Sequence, residues 1–432
     1  MRYRLLAALF LPLCGPLFGP LIGPLFGPAL AHADDITIRA HKLHTEAIVV
    51  DTHLDAPDQL STKWADVATR GATDHFDLPR AREGGLTAPF FAIYVAASFV
   101  DNGAAKRALE LIDLTHRVID GHPKDLVFAG TAADIRAAKQ AGRISLLMGI
   151  EGGHAIEDSL AVLREMYRAG VRYMTLTHTN TNHWADSSGP FYEPDFDPKK
   201  SAVHGGLSDF GKTVVKEMNR IGMIIDVSHV SDATIRDVLE VSRAPVMASH
   251  SSCRALANMP RNLTDDQIKQ IAAKGGVVMI NVGSAFLDQK SYDHFVATLA
   301  RVKPEYLKLK AQYAKDPAKL RAETTALLKR QDRAPRADWT KVVEHIEHVI
   351  AVAGDDAVGI GDDFDGIQDT PIGFDDVSKY PKLTEELLRR GHSEAQVKKV
   401  LGENFVAFFA RVEATKASLA SEPPATAVYA AK

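Results

Sequence analysis

The chain has 432 residues, 46% of them hydrophobic and 25% charged, which is globular material with room for one large domain or two medium ones. A formal net charge of −4 at pH 7 supplies no basic field, which excludes nucleic acid and anionic lipid as partners. Of its two cysteines, Cys14 lies in an N-terminal leader, so the remaining Cys253 can form no intrachain disulfide and stability must come from core burial.

The leader comes first. Arg2 and Arg4 precede an apolar stretch from Leu5, and Ala31-His32-Ala33 supplies an A-x-A site, the pattern of a secretory signal peptide over 1–33 cleaved near Ala33. Its Gly-Pro repeats (Gly15-Pro16, Gly19-Pro20, Gly23-Pro24) argue against a permanent transmembrane helix, and Leu13 sits where a lipid-modified Cys14 would need a small residue. The expectation is an exported protein, periplasmic or secreted, with no stable membrane anchor.

From Ile36 to about Val412, short β-branched apolar runs alternate with helical patterns, which predicts βα units around a parallel sheet. The strands expected are 47–53, 90–96, 144–151, 173–178, 223–229, 246–250, 277–282 and 358–363, eight in all, the number that closes a (β/α)₈ barrel. Helices are expected between them over 104–118, 132–141, 159–169, 209–221, 232–242, 264–273 and 339–352, with two more, 383–390 and 393–412, closing the domain. Residues 285–338, after the seventh strand, read as a solvated, charged helical insertion (Lys303, Lys308, Lys310, Lys315, Lys319, Arg321) placed where a lid over the barrel mouth would lie. The tail, 414–432, rich in Ala, Pro, Ser and Thr, reads as disordered.

The ends of the predicted strands carry the chemistry. His53 and Asp55, in Asp51-Thr52-His53-Leu54-Asp55, share one face of the first strand and point past its end together. Alone the triplet is weak, but Glu151, His178, His229, His250 and Asp363 end other strands, and in a barrel all of these converge on one face. Such a set is costly to bury without a cation, and imidazoles with carboxylates and no thiolate suit zinc, with manganese, cobalt and iron as the other options. Glu151, followed by Gly152-Gly153, is the natural carboxylate to bridge two ions about 3.5–4 Å apart, with a shared water as nucleophile and Asp363 handling the proton. Asp51, one pleat before His53, reads as a supporting carboxylate, His154 and Asn180 as partners orienting ligands, His183 as a loop residue, and Cys253 as a buried small residue.

Six runs, Asp51–Asp55, Gly149-Ile150-Glu151-Gly152-Gly153-His154, Thr175-Leu176-Thr177-His178, Asp226-Val227-Ser228-His229-Val230-Ser231, Ser249-His250-Ser251-Ser252 and Gly361-Asp362-Asp363-Phe364-Asp365-Gly366, together resemble the renal (membrane) dipeptidase family of the amidohydrolase superfamily, over about Thr45 to Phe409. The resemblance implies a binuclear zinc dipeptidase on a TIM barrel that hydrolyses dipeptides with a free C-terminal carboxylate. It implies two zinc ions per chain, one on His53, Asp55 and Glu151 and the other on Glu151, His229 and His250. Asp363 is then the proton-transferring carboxylate, His178 steadies the oxyanion, and Arg261, in Pro260-Arg261-Asn262, holds the substrate carboxylate. The disulfides and lipid anchor of mammalian members have no counterpart here, so covalent dimerisation and tethering do not carry over, and a homodimer stays open. The competing readings are a related amidohydrolase acting on N-acyl-amino acids or β-lactams and a metal-binding protein without turnover.

Overall fold

A computed structural model describes residues 27–430 apart from Gln368. Nine parallel strands form the sheet: β1 Val50–Leu54, β2 Ala88–Tyr94, β3 Leu126–Phe128, β4 Ile144–Glu151, β5 Val171–Thr175, β6 Ile224–Asp226, β7 Met247–Ala248, β8 Val277–Ile280 and β9 Val358–Ile360. Eight follow one another in the order β1-β2-β4-β5-β6-β7-β8-β9, and β3 pairs only with β4, outside that path. The ring closes where Leu54 bridges Phe364, the Asp363 amide donating to the His53 carbonyl (3.0 Å) and the Asp55 amide to the Phe364 carbonyl (2.9 Å). This is the (β/α)₈ barrel expected, with helices as the outer layer.

Buried on both faces, barrel strands are near-continuous apolar runs, as in the Ile144–Glu151 segment, every residue of which is buried. Most of the helices between them start on side-chain caps. The Ser231 hydroxyl accepts from the Thr234 amide, and Thr264 forms a reciprocal capping box with Gln267. The barrel floor is plugged from below by the helix Asn404–Ser418, whose Phe405, Phe408, Phe409 and Val412 pack on Val50, Phe90, Leu147, Ile224, Met247 and Met279 of the barrel interior.

Three expectations need correction. Six strands end earlier than predicted, and at four of them this matters for the site: His178, His229, His250 and Asp363 follow the last ladder residues of β5, β6, β7 and β9 by a short step and belong to the loops. At His229 (φ +67°) and Asp363 (φ +65°) the backbone is left-handed, a conformation a β ladder does not accommodate, so neither residue can extend its strand. β3 escaped prediction because three apolar residues, Leu126, Val127 and Phe128, offer no period to read. The tail expected to be disordered is helical to Ser418 and then packs: Leu419 is buried, the Ala425 amide donates to Glu217 (3.1 Å), and Tyr429 stacks on His183 with ring centroids 5.5 Å apart.

Most of the signal segment expected over 1–33 lies outside the described residues. Its last residues fall in the helix Gly27–Glu46, which is held by groups beyond Ala33: Ala40 and Leu43 are buried, and His44 bonds Thr384 (2.7 Å) and the Gly84 carbonyl (2.8 Å). Among the described residues no helix is long and apolar enough to cross a membrane. The insertion is helical as expected, over Ser284–Leu287, Gln289–Gln312 and Pro317–Lys329, with a small core of its own in Val302, Tyr306 and Leu327.

Candidate metal centre

Strand register sets the level of the site. Tyr94 pairs with Glu151, Glu151 with Thr175, Thr175 with Asp226 and Asp226 with Met247, so one ring of residues runs across five strands. His178, His229 and His250 each follow their member of that ring (Thr175, Asp226, Met247) by three residues, which lifts all three imidazoles onto the mouth above Glu151.

The geometry is tight. Glu151 Oε1 lies 2.9 Å from His229 Nε2, 3.4 Å from His250 Nε2, 3.6 Å from His53 Nε2 and 3.8 Å from His178 Nε2. His53 Nε2 is also 3.5 Å from Asp55 Oδ2. Ligand atoms fall within 4.8 Å of one another in three overlapping groups: His53–Glu151–His250, Glu151–His178–His229 and His53–Asp55–Asp363. All seven strand-end residues are thus brought together, and Glu151 and His53 each belong to two groups.

Several of these side chains are held from behind by a partner. His53 Nδ1 is hydrogen-bonded to the Tyr173 hydroxyl (2.7 Å), and Tyr173 finds room because Gly149, opposite it on β4, has no side chain: a Cβ there would fall on the tyrosine ring. Asp226 accepts from the Thr175 and Ser249 hydroxyls and from the amides of Ser228 and Ser249. Asp363 accepts from Asn281 (2.8 Å), and the ring of Tyr94 meets that of His178 edge-on at 4.9 Å. Asp51 does support the loop, accepting from the amides of His53 and Asp362 and from the Tyr380 hydroxyl (2.7 Å). Sequence reasoning missed Tyr173, Asn281 and Ser249 because a mid-strand aromatic and two small polar residues carry no chemical signature; the only available hint was their place on the same apolar runs as the ligands.

The donor set fits a cation on its own chemistry. The one hydroxyl proton of Ser249 goes to Asp226, so His250 Nδ1, 2.7 Å from the same oxygen, must be the donor there. That leaves the lone pair of His250 Nε2 facing the carboxylate of Glu151 across 3.4 Å, a repulsion that a metal ion between them converts into two bonds. His53 Nε2 and His250 Nε2 are both buried without a hydrogen-bond partner. Electrostatics agree at three of the four imidazoles: burial holds His229 and His250 well below the usual histidine range, and brings His178 down to about 4, so all three are neutral lone-pair donors at pH 7. At His53 burial is outweighed by the neighbouring Tyr173, Glu151 and Asp55, which raise the pKa, so that a cation there displaces a proton. Burial would raise Glu151, but the His178 and His53 imidazoles outweigh it and keep the carboxylate ionised. Burial, with Asp55 and Glu151 nearby, pushes Asp363 well above the carboxylate range, so it holds a proton.

Arg261 is 3% exposed and lies at the same mouth, donating to Ser251 Oγ and the His250 carbonyl (3.2 Å each), with Nε unpartnered. Burial lowers it only to about 10, so it stays cationic. Of the residues read as bystanders, His183 bonds Asp158 (2.6 Å) away from the cluster, and Cys253 is buried, its thiol pushed upward by desolvation.

Residues 37–423 match the sequence profile of the membrane dipeptidases, peptidase family M19. Among solved structures, the probable dipeptidase PvdM from Pseudomonas aeruginosa superposes with a TM-score of 0.75 at 27% identity, covering 88% of this chain and 99% of that one. The dipeptidase AC, a metallo peptidase of the same family, gives 0.68 at 26% identity, with 85% and 98% covered. A metallo peptidase from Rhodobacter sphaeroides, liganded with a phosphinate mimic of the dipeptide L-Ala-D-Ala, gives 0.67 at 26% identity, with 85% and 99% covered.

Proposed function

The chain belongs to the membrane dipeptidase family, metal-dependent hydrolases of dipeptides, and from that premise we propose that it cleaves dipeptides with a free C-terminal carboxylate at a two-zinc centre bridged by Glu151. His53, Asp55 and Glu151 would hold one ion, and Glu151, His229 and His250 the other. The observation that carries this is the single oxygen of Glu151 facing three imidazole nitrogens at 2.9, 3.4 and 3.6 Å. Bound zinc supplies Lewis acidity, lowering the pKa of a water and drawing charge from the scissile carbonyl.

The chain's own groups do the rest. Arg261 clamps the terminal carboxylate, which takes up its unpartnered Nε and completes its pairing. His178, neutral and beside Glu151, donates a hydrogen bond to the oxyanion of the tetrahedral intermediate. Asp363, oriented by Asn281, carries the proton to the departing amine. Gly366 keeps that position open, since a Cβ there would collide with Asp55 and Asp363. Export accompanies this reading: the leader carries Arg2, Arg4 and Ala31-His32-Ala33, and cleavage after Ala33 spares the packed residues Ala40, Leu43 and His44.

The test is a screen of zinc-loaded protein on dipeptides with L or D residues at the C-terminal position, beside their C-terminal amides and N-acyl-amino acids. Hydrolysis of free-acid dipeptides with rates on the amides lower by about 10²-fold or more is expected. Faster turnover of N-acyl-amino acids, or equal rates on acids and amides, would overturn the assignment.

A further inference from the structure

Beside the metal cluster lies a cavity of about 550 Å³, lined by Thr179, Asn180, Tyr192, Glu193, Lys200 and Arg321 among others. It shares a wall with His178: the Thr179 hydroxyl bonds His178 Nδ1 (3.1 Å) and the Tyr192 hydroxyl (3.0 Å). Four segments build it: the turn after β2, which contributes Ala97, the long loop after β5, the charged insertion, which contributes Arg321, and the C-terminal tail, which contributes Tyr429. The insertion is fastened over the loop by Lys310 to Asp195 (2.8 Å) and by Phe191, whose ring meets those of Phe286 and Phe295 edge-on at 6.3 and 6.2 Å.

The charges in this cavity are unbalanced. Arg321 and Lys200 line the cavity at its solvent-exposed side, and neither forms a side-chain ion pair or hydrogen bond among the described residues. The one carboxylate on the wall, Glu193, is likewise without an ion pair, and burial pushes it above the usual range, which weakens its claim on the two cations. The amide of Asn180 has both polar atoms buried and unpartnered, a cost that a ligand able to accept and donate there would remove. The charge of Arg321 is felt on the catalytic side, where it counteracts the upward push of burial on the hydroxyls of Tyr192 and of Tyr94, the residue edge-on to His178.

We propose that this cavity is a specificity subsite for a second anionic group on the substrate, the side-chain carboxylate of an aspartyl or glutamyl dipeptide, with Arg321 as its counter-charge. The inference rests on the dipeptidase reading and deepens it. Arg261 meets the carboxylate that every dipeptide has; Arg321 distinguishes substrates that carry another. The tail and the insertion, neither of which contributes a proposed metal ligand, thereby acquire a common purpose.

The experiment compares kcat/KM for Glu-Ala with Gln-Ala, and Ala-Glu with Ala-Gln, pairs that differ in charge and little in size. In the native protein one of the two acidic substrates is favoured over its amide by about fivefold or more, the scale of a partly exposed ion pair, and the preference shrinks with added salt. Arg321→Gln brings that ratio close to one through KM, Arg321→Lys retains part of it, and Arg321→Glu inverts it. An acidic-to-amide ratio near one in the native protein, or one that Arg321→Gln and Arg321→Glu leave in place, overturns the subsite. Loss of turnover on all four dipeptides in the native protein would instead overturn the dipeptidase reading, and the subsite with it.

Discussion

The two ends of the barrel are built on opposite principles. At the floor, Phe405, Phe408 and Phe409 of the last helix fill the barrel with apolar contact, Phe405 meeting Phe90 edge-on at 5.3 Å, and no titratable group is needed. At the mouth, four imidazoles and three carboxylates are crowded together, two of these residues hold left-handed backbone, and several polar atoms have no partner. The floor is stable by itself; the mouth is a strained, charged arrangement that the rest of the fold sustains. Stability and function are thus separated along one axis, and substitutions at each end break different properties.

The largest effect lies at the mouth. Glu151→Gln keeps the shape and removes the charge, and kcat/KM falls about 10³-fold or more, measured on any dipeptide the native protein cleaves, while the melting temperature of the metal-free protein holds. At the floor the reverse is expected: Phe405→Ala costs about 3–5 kcal/mol in denaturant unfolding, with dipeptide turnover by the folded fraction preserved.

The comparison also has a pH dimension, because loops that follow the barrel strands are tied by a titratable group. His345 accepts from the Cys253 amide (3.0 Å) and bonds the Leu287 carbonyl (3.0 Å), joining the loops after β7 and β8, and burial brings it down to about 4. A histidine that refuses its proton in the fold and takes one near 6.5 when unfolded gives full stability above 6.5. That contribution, about 3 kcal/mol, is lost as pH falls from 6.5 toward 4. Unfolding curves of native protein and His345→Gln between pH 7 and 4 measure it: the variant's dependence is the flatter, and identical slopes would remove His345 from the account.

Smaller still is Tyr173→Phe, which strips the hydroxyl from His53 Nδ1 without altering the core. Zinc affinity, read by competition with a chelator, drops about 10–100-fold, with the apo-protein's stability little changed.

Much of this contrast is legible in the sequence. The βα alternation and the polar residues closing each apolar run are enough to place His53, Glu151, His229 and His250 on one face, because a parallel barrel has a single functional end. What escapes is long-range and local at once. The extra span assigned to strands at His178, His229, His250 and Asp363 follows from β-like composition, which does not reveal where the backbone turns left-handed. Tyr173 begins a predicted strand and is buried in the core, and only the gap left by Gly149 shows why its hydroxyl reaches His53. Composition marks the tail as disordered, yet Leu419 and Tyr429 each find a partner surface that only the folded barrel provides.

The bridging role of Glu151 is the claim on which the mouth depends, and metal stoichiometry tests it most directly. Zinc analysis by mass spectrometry after dialysis should find two ions per chain in the native protein and neither held tightly in Glu151→Gln, because both sites lose the same ligand. One ion in the native protein, or one retained at native affinity by the variant, would contradict a shared carboxylate.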